Sequence, residues 1–144
     1  MRRGAAAAVV LVALVLGACA GDSPKDKWIK ASVKACDARF NTVEVASAQL
    51  TAQSTSEQFA AWFTQFFEPA YRTQLQAQRD AGPPDDTARA LVDDTTKVID
   101  TMAANPGAYA VAPDPFADVD PRWDAYGLRA CGSRADPSST LSGR

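Results

Sequence analysis

The stretch IKASVKACDARFNTVEVASAQL, from Ile29 to Leu50, decides the fold that the sequence predicts. Its apolar and small side chains recur at alternating four- and three-residue steps, which is the spacing of one face of an α-helix. The stripe consists of Ile29, Val33, Cys36, Phe40, Val43, Ser47 and Leu50. Because Cys36 lies on this stripe, we expect it to face the core.

The ends of the first two helices are marked by capping signals. The sequence SPKD at 23–26 places Ser at the cap, Pro at the first helical position and an acid in the first turn. After a polar break, the pattern Ser54-x-x-Glu57 predicts a capping box for the second helix. Pro69 predicts a bend within that helix, and the breaker GPP at 82–84 predicts its end.

The second helix carries an unusually heavy aromatic face. One interpretation is that it is the central helix of a bundle and that its aromatic side chains fill the core between two neighbours. The other is that some of them line an apolar ligand pocket or a contact patch for a partner. The residues concerned are Trp62, Phe63, Phe66, Phe67 and Tyr71.

The rest of the chain predicts one more long helix and one short one. Asp85 or Asp86 caps the third helix, which ends before Asn105 and whose stripe is Ala88, Leu91, Val92, Thr95, Val98, Ile99 and Met102. Residues 108–113 are expected to form a loop. A short helix then restarts at Asp114, is interrupted at Pro121 and ends at Gly127. We therefore predict an all-α fold, a small antiparallel bundle of three long helices and one short C-terminal helix.

The N-terminus has the pattern of an export signal. Arg2 and Arg3 precede the uncharged run Gly4–Leu16, which is shorter than the roughly 20 residues that span a bilayer. Leu16-Gly17-Ala18-Cys19 resembles the lipobox of bacterial lipoproteins. The resemblance implies cleavage between Ala18 and Cys19, a diacylglyceryl group on the Cys19 sulfur and an acyl chain such as palmitate on the freed amine. The alternative is an ordinary A-x-A site that releases a soluble protein after Ala20.

The cysteine count predicts one disulfide bond. The chain has three cysteines, and assigning Cys19 to lipidation leaves Cys36 and Cys131 as a pair in a compartment where disulfides persist. A redox motif would need C-x-x-C, a zinc site four ligands and a catalytic thiol a histidine, and the chain contains no histidine. The bond would close a loop of nearly a hundred residues.

Charge and composition exclude several functional classes. Without Arg2 and Arg3, the 15 basic residues become 13 against 17 acidic ones, a net charge of about −4 that argues against nucleic-acid binding.

The acidic residues Asp114, Asp118, Asp120 and Asp124 cluster, but Val119 and Ala125 occupy the positions where a calcium loop needs Gly and Glu. We predict no catalytic residue, no metal and no cofactor.

The segments DPFA at 114–117 and GLRACG at 127–132, with the GPP join, resemble a group of small actinobacterial lipoproteins. The resemblance implies a helical fold and a location in the cell envelope, but no activity is known for that group. Its last helix is usually unbroken, and Pro121 departs from that pattern. The expected organisation is a signal peptide over 1–18, a tether over 19–22, a helical bundle over 23–131 and a disordered tail over 132–144.

The function predicted from the sequence is that of a non-enzymatic protein of the cell membrane. We expect it to be lipid-anchored at the extracytoplasmic face through Cys19 and to act through contacts with an envelope protein. The alternative is a carrier of a small apolar or lipid ligand between the helices. A connected internal cavity beside Trp62 and Phe66 would favour the carrier, whereas exposed aromatic side chains over a dry core would favour the protein contact.

Overall fold

The computed structural model of the protein describes residues 21–133. The predicted signal peptide, Cys19 and the tail from 134 onward lie outside this range. The helices are α1 (Pro24–Ser47), α2 (Ser56–Trp62), α3 (Glu68–Asp80), α4 (Asp86–Ala104) and α5 (Asp120–Ala125). A π-helical turn, Phe63–Phe67, joins α2 to α3, and a 3-10 turn, Pro106–Ala110, follows α4. The part of the chain that the structure describes contains no strand, so the predicted all-α fold is confirmed.

Two of the predicted helix caps are present. At the start of α1, the Ser23 hydroxyl accepts a hydrogen bond from the backbone N–H of Asp26 at 3.1 Å, and the Asp26 carboxylate accepts one from the backbone of Ser23. At the start of α4, the carboxylate of Asp85 accepts a hydrogen bond from the backbone N–H of Ala88 at 2.8 Å. Both caps satisfy N–H groups that the first turn of a helix leaves without partners.

The predicted cap of α2 is wrong by one residue. The cap is Thr55, whose backbone N–H donates to the Gln58 side chain at 2.8 Å and whose hydroxyl accepts from the Gln58 N–H at 3.2 Å. Ser54 instead accepts a hydrogen bond from the backbone of Thr51 in the preceding turn. Ser and Thr are interchangeable as caps, so the choice between them depends on the turn before the helix.

The inward face of α1 is rotated from the predicted stripe. Cys36 and Val43 are buried as expected, but the other fully buried side chains of this helix are Trp28, Ser32, Arg39 and Ala46. The predicted positions Ile29, Val33 and Phe40 are only half-buried. The rotation lets α1 bury the large indole of Trp28, whose Nε1–H donates to the Gln78 carbonyl at 2.9 Å.

The irregularity predicted at Pro69 takes the form of the π turn that comes just before it. The backbone N–H of Glu68 donates to the carbonyl of Phe63, five residues back, so the helix is one residue wider here than an α-helix. Pro69 has no N–H to donate and occupies the first turn of α3, where that loss is tolerated. The backbone stays helical from Ser56 to Asp80.

The C-terminal third differs from its prediction in two places. Residues 106–110 form a 3-10 turn where the sequence predicted that a loop would begin at 108. The last helix begins at Asp120, with Pro121 in its first turn, and not at Asp114 with an interruption. Proline is favoured at a first helical position because its missing N–H has no partner there anyway. Gly127 ends the helix with φ +95°, as predicted.

The helices pack as an antiparallel bundle. Trp28, near the start of α1, bonds Gln78 near the end of α3, while Arg39, later in α1, bonds Tyr71 earlier in α3. Helix α4 lies along the other side of α3, and its buried residues are those predicted except for the half-buried Val98.

A disulfide bond between Cys36 and Cys131 closes the fold, as predicted. The two Cα atoms are 5.1 Å apart, and the cysteines are separated by 95 positions in the sequence. Gly132 is buried, and Ser133 donates to the Asp124 carboxylate at 2.6 Å, so both residues pack against the bundle. Within residues 21–133, no helix is both long and apolar enough to cross a membrane.

Candidate functional site

Most of the aromatic side chains singled out in the sequence pack against one another in the interior. Phe63, Tyr71 and Trp62 are 0%, 6% and 8% exposed. The ring of Phe67 lies 5.4 Å from Trp62, 5.3 Å from Phe63 and 4.6 Å from Tyr71, measured between centroids. The stack continues across the bundle from Tyr71 to Phe116 at 5.1 Å. The rings of Trp62, Phe63, Phe67 and Tyr71 therefore form a column along the π turn, and Phe116 extends it across the bundle.

The fifth aromatic residue, Phe66, lines an open groove between α1 and the π turn with α3. The groove has a volume of about 610 Å³, within the range of roughly 300–1,000 Å³ typical of small-molecule sites. Its walls consist largely of small side chains because alanines recur on the facing sides of both helices. They are Ala31, Ala35 and Ala38 on α1 and Ala70 and Ala77 on α3.

The wall of this groove contains a buried arginine. Arg39 is 3% exposed; its Nη1 donates to the hydroxyl of Tyr71, and its guanidinium carbon lies 4.2 Å from the centroid of the Tyr71 ring. Its Nε and Nη2 atoms are buried and have no hydrogen-bond partner among residues 21–133. No carboxylate in that range forms an ion pair with it. An unpaired buried charge of this kind is expensive and points to a role beyond packing.

The charge around the groove is positive, although the whole chain is acidic. Lys34 and Arg39 are the charged residues in its wall, and none of the described residues that line it is Asp or Glu. Lys34 is exposed on α1, five positions before Arg39. The groove is therefore suited to a ligand with an apolar part and a negative charge.

A second polar side chain in the groove wall also has an unpaired atom. Gln74 is 2% exposed, and its Nε2 donates to the Oε1 of Gln78 at 3.3 Å. The Oε1 of Gln74 has no hydrogen-bond partner in the described part of the chain. Gln78 in turn places its Nε2 3.6 Å from the sulfurs of both Cys36 and Cys131. The surface of α3 that faces α1 is thus polar from Tyr71 to Gln78.

The four clustered acids have structural positions. Asp114 accepts a hydrogen bond from the backbone of Phe116 at 2.8 Å, and Asp124 accepts from the backbone of Ser133 at 3.2 Å. Asp118 is exposed, and Asp120 is the first residue of α5. Among residues 21–133, no three His, Cys, Asp or Glu side chains come close enough together to hold a metal ion.

A smaller cleft lies on the other side of α1, beside the disulfide. Its volume is about 230 Å³, and it is lined by Asp37, Phe40, Asn41 and Ala130. Asp37 is the single carboxylate among these lining residues, so the cleft does not bring two acids together. It lacks the pair of carboxylates that most glycoside hydrolases use.

Sequence reasoning missed Arg39 and Gln74 because only apolar residues were counted along each helix. Arg39 lies three positions after Cys36 and four before Val43, which places it on the same inward face. Gln74 lies three positions after Tyr71 in the same way. A polar residue at an inward helical position was the signal that could have identified both.

The comparisons with known proteins return no relatives. No protein-family model matches the chain, and neither a curated protein nor a solved structure matches it.

Proposed function

We propose that this chain is a non-enzymatic, lipid-anchored protein of the cell envelope whose helical bundle carries a small apolar or lipid-like ligand. The observation that supports the proposal best is the groove of about 610 Å³ between α1 and α3, beside Phe66. The groove is open at the surface and is lined by Phe66 but not by Trp62, and its size and small apolar side chains support a ligand that lies between α1 and α3. The absence of histidine from the chain and the structural positions of the clustered acids support a non-enzymatic role.

The proposed location in the cell envelope is supported by the lipobox and by the resemblance to small actinobacterial lipoproteins. With lipid on Cys19, the five residues that lead to Pro24 could extend at most roughly 17 Å. The start of α1 would then stay close to the outer face of the membrane. Ala31, the first groove residue, lies two helical turns further along, so a ligand leaving the bilayer would have a short path to the groove.

The anchor and the groove are tested by separate measurements. The intact mass of the mature protein should show the diacylglyceryl increment on Cys19, and a Cys19→Ser variant should lose it. An unmodified Cys19 in the mature protein would contradict the proposed lipid anchor.

Ligand binding is tested with an uncharged apolar fluorophore on the full mature chain carrying Cys19→Ser. Ala35→Leu fills the groove and should weaken binding, whereas Ala61→Leu adds the same bulk on the exposed face of α2 and should not. If the fluorophore does not bind, or if both variants bind equally well, the carrier function is wrong.

Contact with another envelope protein is our second proposed function. Val111 and Val45 are the large apolar side chains that are exposed among residues 21–133, at 92% and 77%. Acylated protein purified from envelope extract should retain one defined partner, and Val111→Asp should release it. The adjacent, equally exposed substitution Ala112→Asp is the matched control. Equal retention by both variants would contradict a contact at Val111.

A further inference from the structure

We infer that the groove binds a ligand with an alkyl chain and a single terminal carboxylate, and that Arg39 recognises the carboxylate. This inference rests on the proposed carrier function and names its ligand class. It follows from two features found in the same place. One is the small apolar lining of the groove, and the other is a buried guanidinium in its wall without a counter-ion among residues 21–133.

The unpaired donors of Arg39 form the edge that best fits a carboxylate. Nε and Nη2 are parallel donors along one edge of the planar guanidinium, and a carboxylate offers two oxygens at matching spacing. The third donor group, Nη1, is already used by the Tyr71 hydroxyl. The donor pair Nε and Nη2, which we call the fork, and the single positive charge of Arg39 match a head group with one negative charge. A phosphate commonly requires more cationic partners.

The guanidinium must rotate to reach a ligand. Nε and Nη2 are buried beneath the groove surface, and the guanidinium rests on the ring of Tyr71. Rotation about the flexible arginine stem brings the fork into the groove and exchanges a cation–π contact for a charge-assisted pair. That exchange is favourable because an ionised partner roughly doubles the strength of each hydrogen bond.

The other charges around the groove agree with this assignment. Lys34 in the same wall is exposed, so Arg39 is the one buried cation among the described lining residues, and no acid among them opposes an anion. The remaining unpaired buried atoms outside the groove wall are Ser32 Oγ and the Nε1 of Trp62, which are both uncharged. Arg39 is therefore the group whose pairing would gain most from a ligand.

The test compares decanoate with decanol on the full mature chain carrying Cys19→Ser, below the concentrations at which either forms aggregates. Decanoate should bind about tenfold more tightly, or better, because it gains charge-assisted hydrogen bonds. Decyl phosphate should bind more weakly than decanoate. Equal binding of decanoate and decanol would overturn the carboxylate assignment but leave the carrier function standing, whereas binding of neither would overturn both. Tighter binding of decyl phosphate than of decanoate would also contradict the carboxylate assignment.

Variants identify the residue responsible. Arg39→Met should abolish the preference for decanoate over decanol, and Arg79→Met, at a partly exposed arginine of α3, should keep that preference. Arg39→Lys retains the charge and tests the fork if Arg39→Met folds poorly; it should lose most of the preference. In the unmodified site, the NMR resonance of the Arg39 Nε–H should shift with decanoate and not with decanol. A preference that survives both Arg39 variants, or an unshifted resonance, would rule out this role.

Discussion

The indole rings of Trp28 and Trp123 stack with their centroids 6.2 Å apart and their planes 13° from parallel. Trp28 is in the first turns of α1 and Trp123 is in α5, so the contact joins the two ends of the described chain. Both rings are buried, and each N–H has a partner. Trp28 donates to the carbonyl of Gln78, and Trp123 donates to the hydroxyl of Thr95 at 3.0 Å.

Trp28→Phe should destabilise the protein by about 1–3 kcal/mol. The Gln78 carbonyl belongs to the last turn of α3, where carbonyls lack intrahelical partners, and it would lose the indole donor. Urea unfolding measures the change. Trp62→Phe is the matched control, because the Nε1 of Trp62 has no hydrogen-bond partner among the described residues. An equal loss for the two variants would show that the Trp28 hydrogen bond contributes little.

Reducing the Cys36–Cys131 disulfide should lower the free energy of unfolding by about 4–5 kcal/mol, the chain-entropy value for a loop of this length. The measurement is urea unfolding with and without a thiol reductant, on the chain carrying Cys19→Ser. A Cys36→Ala, Cys131→Ala double variant should give the same unfolding curve under both conditions. An unchanged midpoint on reduction of the parent would contradict the prediction.

Arg39→Met should raise the free energy of unfolding, even though it removes a hydrogen bond to Tyr71. Burying an ion without a counter-ion costs several kcal/mol, and an apolar side chain of similar length removes that cost. Arg39→Lys keeps the buried charge and should not share the gain. A large loss of stability in Arg39→Met would show that the guanidinium is a structural group with partners that it needs.

Asp85→Ala should destabilise the protein at neutral pH, and the difference from the parent should shrink as the solution is acidified. The hydrogen bonds from the Ala88 N–H and from the Tyr126 hydroxyl lower the pKa of Asp85. A carboxyl whose pKa is lower in the folded state stabilises the protein fully above its unfolded pKa, near 4, and loses that effect as pH falls through the folded pKa.

Asp85→Asn is the control, because it keeps a capping oxygen without the charge. It should remove the pH dependence assigned to Asp85 while retaining much of the cap. Burial and Asp85 together raise the pKa of Tyr126 to about 12, so the phenol stays a donor throughout this range. A gap between parent and Asp85→Ala that does not change between pH 7 and pH 3 would contradict the prediction.

The sequence was sufficient to predict the features that depend on spacing alone. The stripe of α4 follows from a single clear period, and its cap was predicted at Asp85 or Asp86, of which the structure uses Asp85. The pairing of Cys36 with Cys131 followed from the count of cysteines. In each case one simple pattern had a single physical solution.

The position of α1 about its own axis could not be predicted in this way. A helix that contacts neighbours on two sides has a broad inward face, and the apolar stripe through Ile29 and Phe40 covers only part of it. Burial of Trp28 decides the rotation, and it brings Arg39 inward as well. Hydropathy patterns treat arginine as a surface residue. They therefore did not identify Arg39, which we propose binds the carboxylate of the ligand.

The covalent link from the middle of α1 to the last described turn also has a mechanical consequence. Tension applied from the N-terminal side enters the domain through the first half of α1 and meets the bridge at Cys36. The segment from there to Cys131 is a covalent ring, so pulling cannot lengthen it into an open strand. A force applied through a membrane tether could therefore unfold only the first few turns of α1. Beyond them, the disulfide transmits the force to the C-terminal end of the domain.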